Sequence, residues 1–438
     1  MQKPNNHRFL YLKLLRYYFS ILKWENLSVD QVRTLQLKKF IRLFEFAKYN
    51  SVFYRELYKK EGVFNLEIRS ADDIKRLPII NKSLLRQSSY EDILTEPPNS
   101  TLLNIHSTSG SSGVPYKIFQ NKFEDYTAHV RVFRGLQKEG YHPYKRITLV
   151  TRYESNDRFQ IEQDLGLFSK IQKRLGVFQR EIISVFEPVD TIIDKLILKR
   201  PDILWSTPSI LQIIAHRLQE RDLSLDIPVV FFTSETLFSN QRTLLKKVIA
   251  NRVIDLYGST ECPTMSFSYD DDNLNEVFSN TFYIECINET VEDNKTIANP
   301  IITNLINYTM PFIRYDLHDY TEKLDRPDYP TKVIGRVLGR VDDVITLSDG
   351  THLAHHHAHD MFMDFHEVEH WKIVQKGNVI ELQLKIKAGF APPQQVFQKA
   401  RSIWNKRYPN IPIIIVSVDD YDVDPLTGKV KNLEIHTE

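Results

Sequence analysis

Five short segments carry the residues of this chain best suited to chemistry. The first, Ser107-Thr108-Ser109-Gly110-Ser111-Ser112-Gly113, is dense in hydroxyls and glycines. Glycines let backbone N–H groups converge on an anion and the hydroxyls add donors, so such a loop can hold phosphate. The same composition also makes an ordinary flexible connector. It is not a Walker A loop, which ends in Gly-Lys-Ser/Thr, because Val114-Pro115 follow Gly113. The second segment, Tyr257-Gly258-Ser259-Thr260-Glu261, comes directly after Val253-Ile254-Asp255-Leu256, which reads as a strand. Open α/β sheets place ligands beyond strand ends. There Tyr257 offers a flat face to a nucleobase and Glu261 a hard oxygen ligand for Mg²⁺ on phosphate; the plain alternative is a strand-to-loop turn with a solvated glutamate.

In the third segment, Arg314-Tyr315-Asp316-Leu317-His318-Asp319, Asp319 can accept hydrogen bonds from both hydroxyls of a ribose, or simply cap a turn. The fourth, Gly339-Arg340-Val341-Asp342-Asp343, contains an arginine able to grip phosphate with two parallel N–H groups. The fifth, Asp424-Pro425-Leu426-Thr427-Gly428-Lys429, puts a lysine just after a glycine on a polar turn. An ammonium delivered there can offset the repulsion between two anions brought together in a site shielded from water.

Length and composition permit such a site without selecting it. A chain of 438 residues exceeds the usual single-core limit, so at least two domains are expected. Hydrophobic content of 42% and charged content of 26% are ordinary for a globular protein. A net charge of +1 gives no global field to attract nucleic acid, which argues against that partner. The two cysteines, Cys262 and Cys286, make neither a disulfide framework nor a cysteine-only zinc site, and fit a reducing cytoplasm. The N-terminus has no secretory pattern, and no stretch approaches the roughly 20 apolar residues of a membrane span. Residues 8–23 are basic and aromatic; they form either a helix packed on its own domain or one that touches a membrane surface.

The elements that must position these residues read as α/β. Residues 31–62 have helical apolar spacing. Pro78 and Glu96-Pro97-Pro98-Asn99 punctuate the approach to the serine loop. Beyond it, Ile147-Thr148-Leu149-Val150, Ile182-Ile183-Ser184-Val185 and Val229-Val230-Phe231-Phe232 are buried-strand runs, separated by helical stretches at 209–218 and 240–250. That alternation argues a largely parallel sheet. After about residue 336 the texture changes. Strand-like 378–387, a helix over 394–406, strand-like 411–418 and the lysine turn compose a small α+β unit. The expected division is a large domain over 1–338 and a small one over 339–438.

Two other clusters suggest metals. His366-Glu367-Val368-Glu369-His370 matches H-E-x-x-H, with His355, His356, His357 and His359 nearby. The zinc-protease reading needs a helix, whereas Trp371-Lys372-Ile373-Val374 continues as a strand. Asp270-Asp271-Asp272 lacks the glycine and spaced oxygens of an EF-hand and reads as a solvated loop.

In this order the segments resemble the adenylate-forming (ANL) superfamily, specifically the phenylacetate–CoA ligase-like branch that includes the CapK-type proteins of polysaccharide clusters. Residues 107–115, 234–236, 257–261, 303–316, 339–343 and 427–429 carry the resemblance, which covers the chain from about residue 40 onward. It implies a large N-terminal domain of mixed sheets and helices with a small mobile α+β C-terminal domain. It also implies ATP-dependent activation of a small carboxylic acid, using Mg²⁺. Ser107, Thr108, Ser109, Gly110, Ser111, Ser112 and Gly113 would wrap the triphosphate. Ser234 and Glu235, with Tyr257, Gly258 and Ser259, would line the adenine side, and Asp319 and Arg340 would hold ribose and nucleotide oxygens. Glu261 would bind Mg²⁺ beside Thr260, Asp342 would be the hinge, and catalytic Lys429 would bridge carboxylate and α-phosphate.

The acyl group would then pass to CoA, or to an amine or hydroxyl of a sugar or amino acid. A non-catalytic nucleotide-binding relative is the remaining alternative. Three departures stand out. Val114 replaces a common lysine, His318 a usual glycine, and Ser348-Asp349-Gly350-Thr351-His352 lacks the family's Arg-Gly.

Overall fold

The computed structural model describes residues 6–100, 102–107, 116–151, 180–237, 239–269, 274–292, 295–340, 344–349, 351–354, 358, 361–362, 365, 367–377, 379–387, 393–419 and 432–436. The N-terminal third is helical: α1 (Asn6–Glu25), α2 (Val29–Asn50) and α3 (Val52–Lys60), then the short α4 (Ala71–Lys75), α5 (Lys82–Leu85) and α6 (Tyr90–Ile93). Side-chain caps set these starts. Ser28 and Gln31 form a capping box on α2, and Ser51 ends α2 and caps α3. Asn81 caps α5 through the Leu84 amide. Such caps satisfy N–H groups that a helix start leaves without partners.

A hairpin of β1 (Leu103–Ser107) and β2 (Lys117–Asn121) precedes α7 (Lys122–Gln137). Five parallel strands follow: β3 (Ile147–Thr151), β4 (Arg180–Ser184), β5 (Ile203–Ser206), β6 (Ile227–Thr233) and β7 (Ala250–Tyr257). Helices α8 (Val189–Lys199), α9 (Pro208–Glu220) and α10 (Ser239–Val248) link the last four. Alternation along β6 explains the two-sided burial. Val230 and Phe232 pack under the helices with Leu211, Ile214 and Leu245, while Val229 and Phe231 face the core shared with α2 and α3.

The expectation of a largely parallel sheet holds for only part of the structure. The chain reverses after β7, and β8 (Ser266–Ser268) and β9 (Asn275–Val277) extend the sheet antiparallel. A second, antiparallel sheet is built from β10 (Phe282–Glu292), β11 (Lys295–Asn304), β12 (Tyr315–Asp316), β13 (Asp319–Glu322) and, beyond β14 (Val333–Ile334) on the edge of the first sheet, β15 (Val337–Arg340). Its strands β12, β13 and β15 run two to four residues, too short for a period-two pattern to be read.

The C-terminal part gathers a separate apolar cluster, drawn from residues 345–415, around Trp404, Ile373 and Leu382. Its elements are the hairpin β16 (Val344–Thr346) and β17 (His352–Ala354), then β18 (Val368–Lys376), β19 (Val379–Ile386), helix α11 (Pro393–Arg407), β20 (Ile413–Ser417) and β21 (Leu433–His436). The sheet order is β20-β19-β18-β21. It touches the first sheet's helices where Gln212 of α9 donates to the Glu369 carbonyl at 3.4 Å. His370 lies in β18, so the helix that H-E-x-x-H requires is not formed there. Among the described residues no group of three or more His, Cys, Asp or Glu gathers. Asp270, Asp271 and Asp272, with His355, His356, His357, His359 and His366, lie outside the described residues.

Arg314 shows how the N-terminal helices are held to the second sheet. Its Nε donates to Glu285 Oε2 at 3.0 Å, and Nη1 donates to the carbonyls of Lys75 (2.9 Å) and Leu77. Both side chains are buried, at 5% and 7% exposure. Removing one member of a buried pair leaves the other charge uncompensated. Arg314→Ala is therefore expected to cost about 3–5 kcal/mol in urea denaturation, and a cost below about 1 kcal/mol, the range of surface pairs, would refute this reading.

Candidate active site

The site forms where β7 of the first sheet meets β13 and β15 of the second. Asp319 and Arg340 are directly opposed across the β13–β15 pair. That register brings Arg340 Nε to 3.7 Å from Asp319 Oδ1. From the first sheet, Tyr257 Oη donates to Asp319 Oδ2 at 2.7 Å. Burial pushes the Asp319 carboxyl up to about 6, while the Tyr257 hydrogen bond and the Arg340 guanidinium pull it back. Burial and the neighbouring Asp319 hold the Tyr257 phenol well above its usual range, so it stays a donor. The result is a carboxylate fixed from two sides that can accept hydroxyl donors.

His318, immediately before it, adopts the left-handed conformation at φ 57°, where glycine is the easier occupant. Asp316 steadies the turn: its Oδ1 accepts from the His318 amide at 2.7 Å. The turn thus forms despite the departure from glycine.

Beyond β7 the chain turns in a tight loop. Met265 N donates to the Tyr257 carbonyl at 2.8 Å, Ser259 N to the Cys262 carbonyl at 3.1 Å, and Cys262 N to Ser259 Oγ at 3.0 Å. A Cβ on Gly258 would stand 2.6 Å from the Thr264 nitrogen, so only glycine fits this backbone crossing. Arg131 of α7, 1% exposed, ties the far side of the loop: Nε donates to the Thr264 carbonyl at 2.8 Å and Nη2 to the Pro263 carbonyl at 2.6 Å.

This loop presents Glu261, 4% exposed. Its Oε1 accepts from Tyr315 Oη at 3.2 Å and stands 3.4 Å from Lys82 Nζ. A phosphate-bound Mg²⁺ takes one or two protein carboxylates and draws its other ligands from phosphate and water. A lone, anchored glutamate fits that requirement, and the Lys82 ammonium beside it suits phosphate oxygens. Cys262 is no candidate nucleophile, since burial and then Glu261 hold its thiol well above the usual range.

Of the expected site residues, Tyr257, Gly258, Ser259, Thr260, Glu261, Asp319 and Arg340 thus fall on two linked walls of one region. Ser234 lies at the end of β6 with φ 76°. Glu235 turns both carboxylate oxygens to Ser209, accepting from its amide at 2.9 Å and its hydroxyl at 3.0 Å near the start of α9. Ser107 closes β1. Thr108, Ser109, Gly110, Ser111, Ser112, Gly113, Asp342 and Lys429 lie outside the described residues. Sequence reasoning missed Lys82, Tyr315 and Arg131. The one local signal was the Asn81 helix cap that places Lys82 in the first turn.

No family model matches the chain. Curated relatives include phenylacetate-coenzyme A ligases of Pseudomonas putida (22% identical, covering 74% of this chain and 74% of the relative) and Thermus thermophilus (22%, 83% and 82%). Protein CapK of Staphylococcus aureus is 26% identical, over 71% of this chain and 68% of the relative. Among solved structures, 2-hydroxyisobutyryl-CoA ligase with its acyl-AMP in the postadenylation state aligns at a TM-score of 0.71 and 16% identity, covering 91% of this chain and 88% of that one. The same ligase in the thioesterification state aligns at 0.60, covering 93% and 90%.

Fold and site together define a mixed α/β scaffold whose polar cluster sits at a strand end of the parallel sheet. In sequence the chain is similar to phenylacetate-coenzyme A ligases and to Protein CapK, and it shares the fold of 2-hydroxyisobutyryl-CoA ligase.

Asp319 yields a test with a definite sign. Its folded value, about 6, lies above its ordinary 3.8, so its contribution is fully present below about pH 3.8 and is lost as pH rises through about 6. Asp319→Asn removes that titration. The stability of the variant relative to wild type should rise by on the order of 2–3 kcal/mol between about pH 4 and about pH 7. A pH-independent difference in denaturation midpoints would sink this assignment.

Proposed function

We propose that this protein is an ATP-dependent acid–CoA ligase that works through an acyl-adenylate. The observation that carries the reading is the Tyr257–Asp319–Arg340 cluster at the end of β7, with Glu261 on the adjoining loop. In this reading the Asp319 carboxylate accepts the ribose hydroxyls, and Tyr257 donates to Asp319 while its ring flanks the adenine. Arg340 faces nucleotide oxygens. Glu261 would hold the Mg²⁺, which when bound neutralises phosphate charge, and Thr260 stands beside it. The serine loop over 107–113 wraps the phosphates, while Ser234 and Glu235 border the base. The large unit over 1–338 binds nucleotide and acid. The small unit over 339–438 turns about Asp342 and delivers Lys429.

The chemistry is a displacement. A carboxylate oxygen of the acid attacks the α-phosphorus, and the bond to the bridging oxygen of pyrophosphate breaks. Negative charge builds on phosphoryl oxygens, where the Lys429 ammonium stabilises it. The thiol sulfur of CoA then attacks the acyl carbon, loses its proton, and AMP departs. Phenylacetate-coenzyme A ligases among the relatives support CoA as acceptor. Transfer to an amine or hydroxyl is the second reading, favoured by the likeness to Protein CapK and by Ser348-Asp349 where the family has Arg-Gly.

Pyrophosphate release should be screened over aryl, fatty, amino and uronic acids, each with CoA, with amines or with neither. One acid class should release pyrophosphate and consume CoA. Lys429→Ala should lower that release by on the order of 10²–10³-fold. Release that ignores CoA but follows an amine would transfer the assignment to the second reading. Nucleotide binding with no release from any acid would leave a non-catalytic relative.

A further inference from the structure

Helix α1 has two faces, and only one belongs to the fold. Tyr17, Ile21 and Trp24 are buried at 7%, 2% and 7%. Tyr17 Oη meets Thr281 Oγ1 at 2.6 Å and accepts from Arg131 Nη1 at 2.7 Å. At the C-terminal end of the helix, Arg134 grips Glu25 with two hydrogen bonds of 2.9 and 2.7 Å. The helix is therefore a fixed part of the surface.

Its other face is apolar and open. Phe9, Leu12, Leu15 and Phe19 are 59%, 51%, 51% and 58% exposed. At about 100° per residue they share roughly one third of the helix circumference. Lys13, Arg16 and Lys23 are exposed beside or within that stripe, and Lys13 Nζ stands 4.7 Å from the Phe9 ring centroid. Residues 1–24 contain Lys3, Arg8, Lys13, Arg16 and Lys23 and no Asp or Glu. The first acidic residue, Glu25, is already paired with Arg134. In a chain whose net charge is only +1, this is a local concentration of positive charge around exposed aromatic and leucine side chains.

We propose that α1 docks this protein on the surface of an anionic phospholipid bilayer. The exposed stripe enters the headgroup–acyl boundary, while the lysines and arginine snorkel to lipid phosphates. The charge selects this occupant. A second copy would bring the same positive charge against it, whereas an anionic surface complements it. No described helix is long and apolar enough to cross a membrane, so the contact lies in the interface plane. Because the Tyr17 face stays on the body, docking leaves the fold intact and holds one side of the protein at the lipid surface.

The test is cosedimentation of the full-length protein with vesicles of phosphatidylglycerol and phosphatidylcholine, and with phosphatidylcholine vesicles alone. Binding to the anionic vesicles that falls as salt rises is expected. A Leu12→Glu, Phe19→Glu double variant should lose it while keeping the wild-type melting temperature, since both side chains face solvent. Lys13→Gln with Arg16→Gln should weaken it by roughly 20- to 30-fold, about fivefold per charge. Equal binding to both vesicle types, or none to either, would overturn the proposal. So would a dimer in sedimentation velocity that the Leu12→Glu, Phe19→Glu variant dissolves, because the stripe would then belong to a second copy.

Discussion

One nearly buried carboxylate joins the first sheet of this protein to the second. Asp319 belongs to the antiparallel sheet, and its Oδ2 takes a hydrogen bond from Tyr257 at the end of a parallel-sheet strand. Its Oδ1 faces Arg340 because two short antiparallel strands set those residues opposite each other. Burial disfavours the charge, and the phenol and guanidinium return part of what burial removes. Such a group is costly to place in a core and useful beside a ligand, because its acceptor geometry is fixed before the ligand arrives.

The loop after Tyr257 turns that joint into a site. Its path depends on a glycine that crosses the Thr264 backbone and on Arg131, which donates to the carbonyls of Thr264 and Pro263. The same arginine donates to Tyr17 of α1, so one buried side chain links the N-terminal helix and the loop that presents Glu261. Around Glu261, Lys82 and Tyr315 come from segments far away in sequence. The electrostatics there combine one acidic group, one ammonium and one phenol, a balance suited to a metal-bound phosphate.

The strands and helices with strong periodicity were legible from sequence. Ile147-Thr148-Leu149-Val150 and Val229-Val230-Phe231-Phe232 lie in β3 and β6, and the amphipathic 394–406 stretch lies in α11. The turn signals near Tyr257 and Asp319 fall on residues that the structure brings within hydrogen-bond distance. The second sheet was hidden because three of its strands have two to four residues, and register between such strands is set by tertiary packing. Lys82 was hidden for a related reason: no local pattern can bring it to Glu261 across the span of chain between them. No sequence pattern marks Arg131, and only its burial and hydrogen bonds reveal that it serves loop carbonyls.

Asp319 is the group proposed to receive the nucleotide's sugar. Equilibrium binding of ATP to the wild-type protein and to Asp319→Ala, at a pH above the carboxyl's raised value, measures this directly. Two hydroxyl hydrogen bonds to a charged acceptor are lost in the variant, so its ATP dissociation constant should be about 10- to 100-fold higher. Equal affinities in two proteins of matching fold would contradict the account and place the nucleotide elsewhere.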